Sequence, residues 1–377
     1  MNVQVQNAFE VKQPNRKRIF DLIFQAGKIN RQSISSQLNL SLPTVNQYLD
    51  ELFRADLIYK NGQIATMSVG RKAQAISINA SARIALGMDI TRHNVSIVAV
   101  DLCGHVLKSL HIRYTFRNTT DCYRFLGQQI VDFITSNYWP QDRILGLGIS
   151  LPAIVTESGT QVGIGLLIDD PRDFYTRFAP YCQVPYRLYN DANAGGFSEI
   201  YARRNIKRMV YLSLCHSIGG AIIENNQIVN GDNWCAGEFG HMTLVPNGLK
   251  CHCGQKGCAN SYCSPDVLAM HANNDLQLFF QQLSDGDAEC TKVFDEYLEY
   301  LAIFIHNIQI CFDCDIIIGG TMGQYIHLYI DKLYKMVQKM EHFKLGNSEY
   351  LKPCFYPFDA ASIGAALFFI DGFVKDI

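Results

Sequence analysis

At 377 residues the chain is long enough for two or three domains with separate cores, and 48% hydrophobic with 18% charged residues excludes a disordered or fibrous protein. The N-terminal MNVQVQNAFEVKQPNRKR has no apolar signal core and no run of about 18 apolar residues occurs, so a cytoplasmic protein without a membrane partner is expected. The net charge of −2 conceals an asymmetry: residues 1–80 carry ten Lys and Arg against five Asp and Glu (+5), the remainder 23 against 30 (−7).

A basic module on an acidic body is what attraction to a phosphate backbone requires. In NRKRIFDLIFQAG, Ile19, Leu22, Ile23 and Ala26 recur at helical spacing, with Asn15 placed to cap the helix and Gly27 to end it. Asn30 then caps a second helix that turns Ile34 and Leu38 inward, Asn39-Leu40 make a tight turn, and Ser41 caps a third. That third helix has Pro43 in its first turn and an apolar stripe of Val45, Leu49, Leu52 and Phe53.

Its first turns also present Ser41, Thr44, Asn46 and Gln47, short polar side chains suited to base edges in a major groove. Arg31, Arg54 and Lys60 are placed to hold phosphates. LIYKNGQI and AQAISIN form a hairpin whose loop, ATMSVGRK, carries Arg71 and Lys72 at its tip. Residues 1–80 therefore read as a winged helix-turn-helix that binds double-stranded DNA.

Residues 81–377 read as a two-lobed α/β body. IALGMDI, NVSIVAVDL and HVLKSLHIRYTF suggest an antiparallel meander with a turn at Asp101-Leu102-Cys103-Gly104. A helix over 121–133 and the strand ILGLGISLPAIV follow. The order returns with MVYLSLC, GGAIIENN and QIVNG, a long helix over 293–310 and the strand DIIIGG. Two such lobes leave a cleft between them, a natural small-molecule site. In YNDANAGG, Asp191 follows a strand; it suits a general base toward a sugar hydroxyl, a hydrogen-bond acceptor for one, or a helix N-cap.

Thirteen cysteines in a reducing compartment should be thiols except where spacing suits a metal, and Cys122, Cys182 and Cys290 read as small hydrophobes. CHCGQKGCANSYC differs: Cys251, Cys253 and Cys258 are separated by Gly254 and Gly257, which let the chain fold tightly around one point. His241 of GEFGHM supplies a fourth ligand for a closed, structural zinc site, with His252 and Cys263 as competitors. A zinc loop at 251–258 would then fix Glu238, three residues before His241, as an acceptor for sugar hydroxyls.

NDANAGG, AGEFGHM and CHCGQKGCA together resemble the ROK family of bacterial repressors and sugar kinases, and the N-terminal module resembles the winged helix of its repressor branch. The resemblance spans nearly the whole chain. It implies an actin-like, ribonuclease-H-like ATPase-type fold, zinc on His241, Cys251, Cys253 and Cys258, and sugar contacts from Asn190, Asp191, Glu238 and His241. It also implies oligomers that bind an operator, with a sugar as effector. Two positions depart from the family pattern: DITRHN, with Thr91, Arg92 and His93, stands where kinases carry a glycine phosphate loop, and Asn260 replaces a sugar-binding Glu.

The expectation is thus a sugar-responsive transcriptional regulator, a repressor of carbohydrate genes acting as a homodimer or homotetramer, with no catalysis. An ATP-dependent sugar kinase bearing a DNA module is the alternative, and a body that docks another protein without a ligand is a third.

Overall fold

The computed structural model describes residues 12–64, 73–156, 158–163, 165, 169–340 and 349–377. The N-terminal part comprises α1 (Lys12–Ala26), α2 (Arg31–Leu38) and α3 (Leu42–Arg54), followed by β1 (Ile58–Ile64) and β2 (Ala73–Ile78), which pair antiparallel. Local chemistry sets most of these boundaries. Asn30 accepts the Ser33 N–H at 2.8 Å, Asn39 takes a left-handed φ of 53°, and Ser41 accepts the Thr44 N–H at 3.3 Å. Gly27, at φ 64°, ends α1 as expected.

Asn15 does not begin α1, as expected from its sequence; the helix already runs from Lys12, and the Asn15 side chain accepts from the Arg18 guanidinium at 2.9 Å. A cap residue one turn inside a helix instead serves an i, i+3 pair. Ile19, Phe20, Ile23, Ile34, Val45, Leu49 and Leu52 are fully buried together. Phe53 only borders that cluster, and Tyr48 takes the inward position. The expected wing tip with Gly70, Arg71 and Lys72 lies outside the described residues.

The body contains two five-stranded sheets of the same order. The first holds β3 (Ile84–Ile90), β4 (Asn94–Asp101), β5 (Val106–Arg113), β6 (Ile144–Leu151) and β7 (Tyr186–Asn190), arranged β5-β4-β3-β6-β7. The second holds β8 (Arg208–Leu214), β9 (Ile218–Glu224), β10 (Gln227–Val229), β11 (Asp315–Gly319) and β12 (Leu351–Pro353), arranged β10-β9-β8-β11-β12. In each, three antiparallel strands are extended by two parallel ones. A parallel strand needs a crossover, and α4 (Thr120–Ser136) and α6 (Ala288–Phe312) supply one in each sheet. Both helices run longer than their apolar periodicity suggests: α6 starts five residues earlier, where Asp287 caps it on the Cys290 N–H, and α4, capped by Thr119 on the Cys122 N–H, continues three residues further to Ser136.

Between the sheets lie α5 (Asp191–Arg203) and α7 (Ala360–Lys375). Their approach depends on missing side chains. A Cβ on Gly364 of α7 would strike the Ala194 carbonyl of α5, and one on Gly148 of β6 would strike the Ala365 carbonyl of α7. Cys122 and Cys290 are buried as hydrophobes, and Cys182 is half-buried. Gly364→Ala is expected to destabilise the fold by about 1–3 kcal/mol through overpacking against backbone, read in urea unfolding, and wild-type stability would refute this account of the helix contact.

Candidate functional site

Two groups of functional side chains occupy the body. The first is the cysteine loop. Gly254 and Gly257 sit at φ 92° and 82°, and a Cβ on Gly257 would strike the Val245 carbonyl, so the loop folds tightly only with glycine there. His241, Cys251, Cys253 and Cys258 bring their ligand atoms within 4.8 Å of one another. The Cys253 and Cys258 sulfurs lie 3.8 Å apart, the edge of a tetrahedron around an ion with metal–sulfur bonds of about 2.3 Å.

Cys251 Sγ is 4.0 Å from His241 Nδ1 and 3.8 Å from His252 Nδ1, yet His252 does not join the four-atom cluster. Cys263 does not compete at all: its thiol is fully buried in the core beneath the loop, and burial raises its pKa. The four remaining donors form a Cys3His set suited to a metal ion. On the other ring nitrogen of His241, Glu238 stands 4.0 Å away, so the loop and the GEFGH segment are positioned together.

The second group lines a cleft of ≈ 620 Å³ between the sheets. Asp89, at the end of β3, and Asp191, at the first turn of α5, are its carboxylate floor, with Asp359 beside them. Burial pushes Asp191 up to about 7, with the negative charge of Asp89 adding to it. Burial likewise raises Asp89 to about 6, opposed by the Ser150 hydroxyl at 2.5 Å and assisted by Asp359. Thr91, Arg92 and His93 also line this cavity, together with His111, His216 and Gly320.

The helix cap expected as a plain role for Asp191 falls to its neighbour. Asn190 accepts the Asn193 N–H at 2.9 Å and donates to the Ala153 carbonyl at 3.1 Å, so its amide is occupied at both ends. Asp191 accepts the adjacent Ala192 N–H and faces the cavity. Asn260 is buried, with Oδ1 accepting the Ile218 N–H at 2.6 Å and Nδ2 enclosed without a partner. Asn190, Glu238, His241 and Asn260 do not line the cavity, although Glu238 is close enough to raise the Asp191 pKa. Sequence reasoning passed over Asp359 and Ser150 as site residues; both are distant in sequence from Asp89, and only folding brings them to it.

On the N-terminal module, Ser41 and Gln47 are exposed, with Gln47 donating to Glu51 at 3.3 Å. Thr44 is half-buried, its hydroxyl 2.8 Å from that of Ser41. Asn46 and Arg31 are also half-buried, with Asn46 Oδ1 and Arg31 Nε enclosed and unpartnered, whereas Arg54 and Lys60 are exposed. Arg71 and Lys72 lie outside the described residues. No helix among the described residues is long and apolar enough to cross a membrane.

A two-lobed sheet pair with a Cys3His loop, preceded by a winged helix, defines a class of protein, and comparison with known sequences identifies it. The ROK family matches residues 85–371 and a winged helix-turn-helix DNA-binding family matches residues 12–59, so the chain belongs to the ROK family and carries an N-terminal winged helix. It is 25% identical over 376 residues to the xylose repressor of Bacillus subtilis (strain 168), covering 97% of both chains. It is 28% identical over 298 residues to the DNA-binding transcriptional dual regulator NagC of Escherichia coli (strain K12), covering 76% of this chain and 71% of that one.

Among solved structures, a ROK family transcriptional regulator homologous to the Escherichia coli MLC protein superposes with a TM-score of 0.74 at 23% identity, covering 97% of both chains. A ROK family glucokinase from Streptomyces griseus, in complex with glucose and AMPPNP, superposes with a TM-score of 0.64 at 21% identity, covering 76% of this chain and 98% of that one. Both share the fold described above, an actin-like pair of sheets.

Asp89 and Asp191 bind protons more tightly in the folded chain than in the unfolded one. Their contribution to stability is therefore full below about pH 4 and is lost as pH rises through about 6 to 7. Asp191→Asn should melt progressively higher than wild type as pH increases from about 4 to about 8, read by scanning fluorimetry; melting curves that shift in parallel would remove Asp191 from this account.

Proposed function

We propose that this protein is a sugar-responsive transcriptional repressor, in which residues 1–80 bind an operator and residues 81–377 sense the sugar. The observation that carries the reading is the path of α5. Its first turn presents Asp191 to the cleft, and its last turn is followed by Arg204, whose guanidinium lies 3.8 Å over the Phe24 ring of α1 and 4.9 Å over Tyr201. Thirteen helical residues span roughly 20 Å, so one rigid element touches both the cleft and the winged helix.

Xylose and N-acetylglucosamine are the sugars named by the relatives, and a sugar of this class is the effector assigned here. Asp191 would accept hydrogen bonds from its hydroxyls in the cleft, with Glu238 and His241 as further contacts from the GEFGH segment; the oxygens of Asn190 and Asn260 are spent on the Asn193 and Ile218 N–H groups, so their amides would support the site from behind. A sugar changes operator binding only if its affinity differs between two arrangements of the chain. Closure of the cleft around the sugar, tilting α5 against Phe24, supplies such a difference.

On the winged helix, Ser41, Thr44, Asn46 and Gln47 would face the major groove, with Arg31, Arg71 and Lys72 on phosphates. Gln47 is the most exposed of the candidate base readers, while the half-buried Asn46 would act through its amide nitrogen. A single winged helix gains specificity by pairing on half-sites, which favours a homodimer or homotetramer in the cytoplasm. Zinc on His241, Cys251, Cys253 and Cys258 would be structural, because four protein ligands leave no open position. Bound there, it would hold the 251–258 loop against the GEFGH segment.

The reading as a non-enzyme rests on the segment Thr91-Arg92-His93. These side chains line the cleft where glycines would let backbone N–H groups reach phosphates, and Thr91 ties the turn to itself through the Asn94 N–H at 3.2 Å. The sugar-kinase alternative keeps Asp191 as its base and would be restored by ATP-dependent turnover that Asp191→Asn abolishes.

The direct test is selection of genomic DNA fragments on the zinc-loaded protein, repeated with xylose, glucose, and free and phosphorylated N-acetylglucosamine. Discrete fragments released by one sugar are expected, and absence of selective DNA under every condition would overturn the reading. Gln47→Ala should weaken binding to such a fragment by about 1–3 kcal/mol while sparing nonspecific DNA; equal loss on both would remove Gln47 from base reading. Arg204→Ala should keep sugar binding and operator binding but shrink the sugar's effect on operator affinity in fluorescence anisotropy. An undiminished effect would show that the signal does not cross the Phe24 contact.

A further inference from the structure

Apart from the cysteine loop, one other group of ligand-type side chains converges among the described residues. Asp101, Cys103 and His105 occupy the turn between β4 and β5, and their carboxylate oxygen, sulfur and ring nitrogen all lie within 4.8 Å of one another. The spacing i, i+2, i+4 through a turn closed by Gly104 at φ 83° sends the three side chains to one point. We infer that this turn is a second metal site, taking a borderline divalent cation such as zinc through Asp101, Cys103 and His105.

The carboxylate is built for that role. Asp101 is only 5% exposed, yet among the described residues no Lys or Arg lies within ion-pair distance of it. Its Oδ1 accepts the N–H groups of Cys103 at 2.8 Å and His105 at 2.9 Å, which fixes the group, and its Oδ2 lies 3.1 Å from His105 Nδ1. Hydrogen bonds to the non-ligating oxygen of a carboxylate are the support that metal-binding carboxylates receive. The 3.1 Å hydrogen-bond separation is a few tenths of an ångström shorter than the roughly 3.3–3.6 Å edge of a tetrahedron with metal–oxygen and metal–nitrogen bonds of about 2.0–2.2 Å, so the two groups need only part slightly to admit an ion.

The donor set selects the ion. One thiolate, one imidazole and one carboxylate suit zinc or cobalt(II) rather than magnesium or calcium, which take oxygen ligands. Three protein ligands leave a fourth position for water, and His105, with 76% of its side chain exposed, leaves the site open to solvent. On binding, the Cys103 thiol releases its proton to solvent; the imidazole stays neutral, its proton moving to Nε2 so that Nδ1 faces the ion.

The location gives the site a consequence. Leu102, between the ligands, donates its N–H to the Ala80 carbonyl at 3.0 Å, and its carbonyl accepts from the Tyr201 hydroxyl at 2.9 Å. Ala80 follows the last strand of the winged helix, and Tyr201 stands edge-on to Phe24 with ring centroids 6.3 Å apart. An ion in the turn would therefore stiffen the seam between the DNA-binding module and the body.

The test is elemental analysis of the full chain after zinc loading and gel filtration, followed by cobalt(II) alone added to protein retaining one zinc. Two zinc ions per chain are expected in wild type and one in both Cys103→Ser and His105→Gln, while Cys253→Ser should lose the other ion and keep this one. Cobalt should produce single-thiolate charge-transfer absorption that Cys103→Ser abolishes. Because His105 is exposed, His105→Gln leaves the fold intact even if Cys103→Ser does not. One zinc per chain in wild type, or a second ion retained in both turn variants, would overturn the inference without touching the Cys3His loop.

Discussion

The body is held together by a backbone-on-backbone contact. Where Gly364 of α7 meets Ala194 of α5, no side chain separates the two helices, and Gly148 allows α7 the same closeness to the first sheet. Interiors pack at crystal-like density, so a few missing methyl groups decide whether two sheets close on a common pair of helices. The cleft is the space left at the N-terminal ends of those helices, with Asp191 opening α5 and Asp359 preceding α7. Its position follows from the packing beneath it.

That arrangement explains why the cleft is acidic and why Asp89 and Asp191 hold their protons to higher pH than free carboxyls do. Asp89 and Asp191 are brought together with Asp359 by unrelated segments in a partly dry space, and burial and the neighbouring negative charge disfavour charge on Asp89 and Asp191. A floor of carboxyls accepts hydrogen bonds from a polyhydroxylated ligand and repels a polyanion. Thr91, Arg92 and His93 line the same cleft.

In the proposed reading the two ends of α5 carry the signal. Helices resist bending, so a shift at the Asp191 end would be delivered at Arg204 with little loss over its length. The cation–π contact with Phe24 is a fitting place to receive it, because guanidinium over an aromatic ring is directional yet tolerates sliding. The turn at Asp101–His105 borders the same seam through Leu102, so the linker residue Ala80 and the α5 residue Tyr201 share one anchor.

Several features were legible in the sequence because they are local. The Asn30 and Ser41 caps, the Val45, Leu49 and Leu52 stripe, the repeated meander and the glycine-spaced cysteines depend on neighbours within a few residues, and each occurs in the structure. Asn15 misled because composition cannot tell where a helix begins when residues upstream are also helical. What only tertiary structure decided were contacts between distant segments. Ser150 reaches Asp89 from the neighbouring strand β6 and Asp359 from the turn before α7, Asn260 spends its oxygen on Ile218, and Asn190 rather than Asp191 caps α5 because β7 delivers it there. Periodicity and spacing specify which face of an element is apolar, but which side chains meet across a cleft depends on how closely the helices between the sheets can approach.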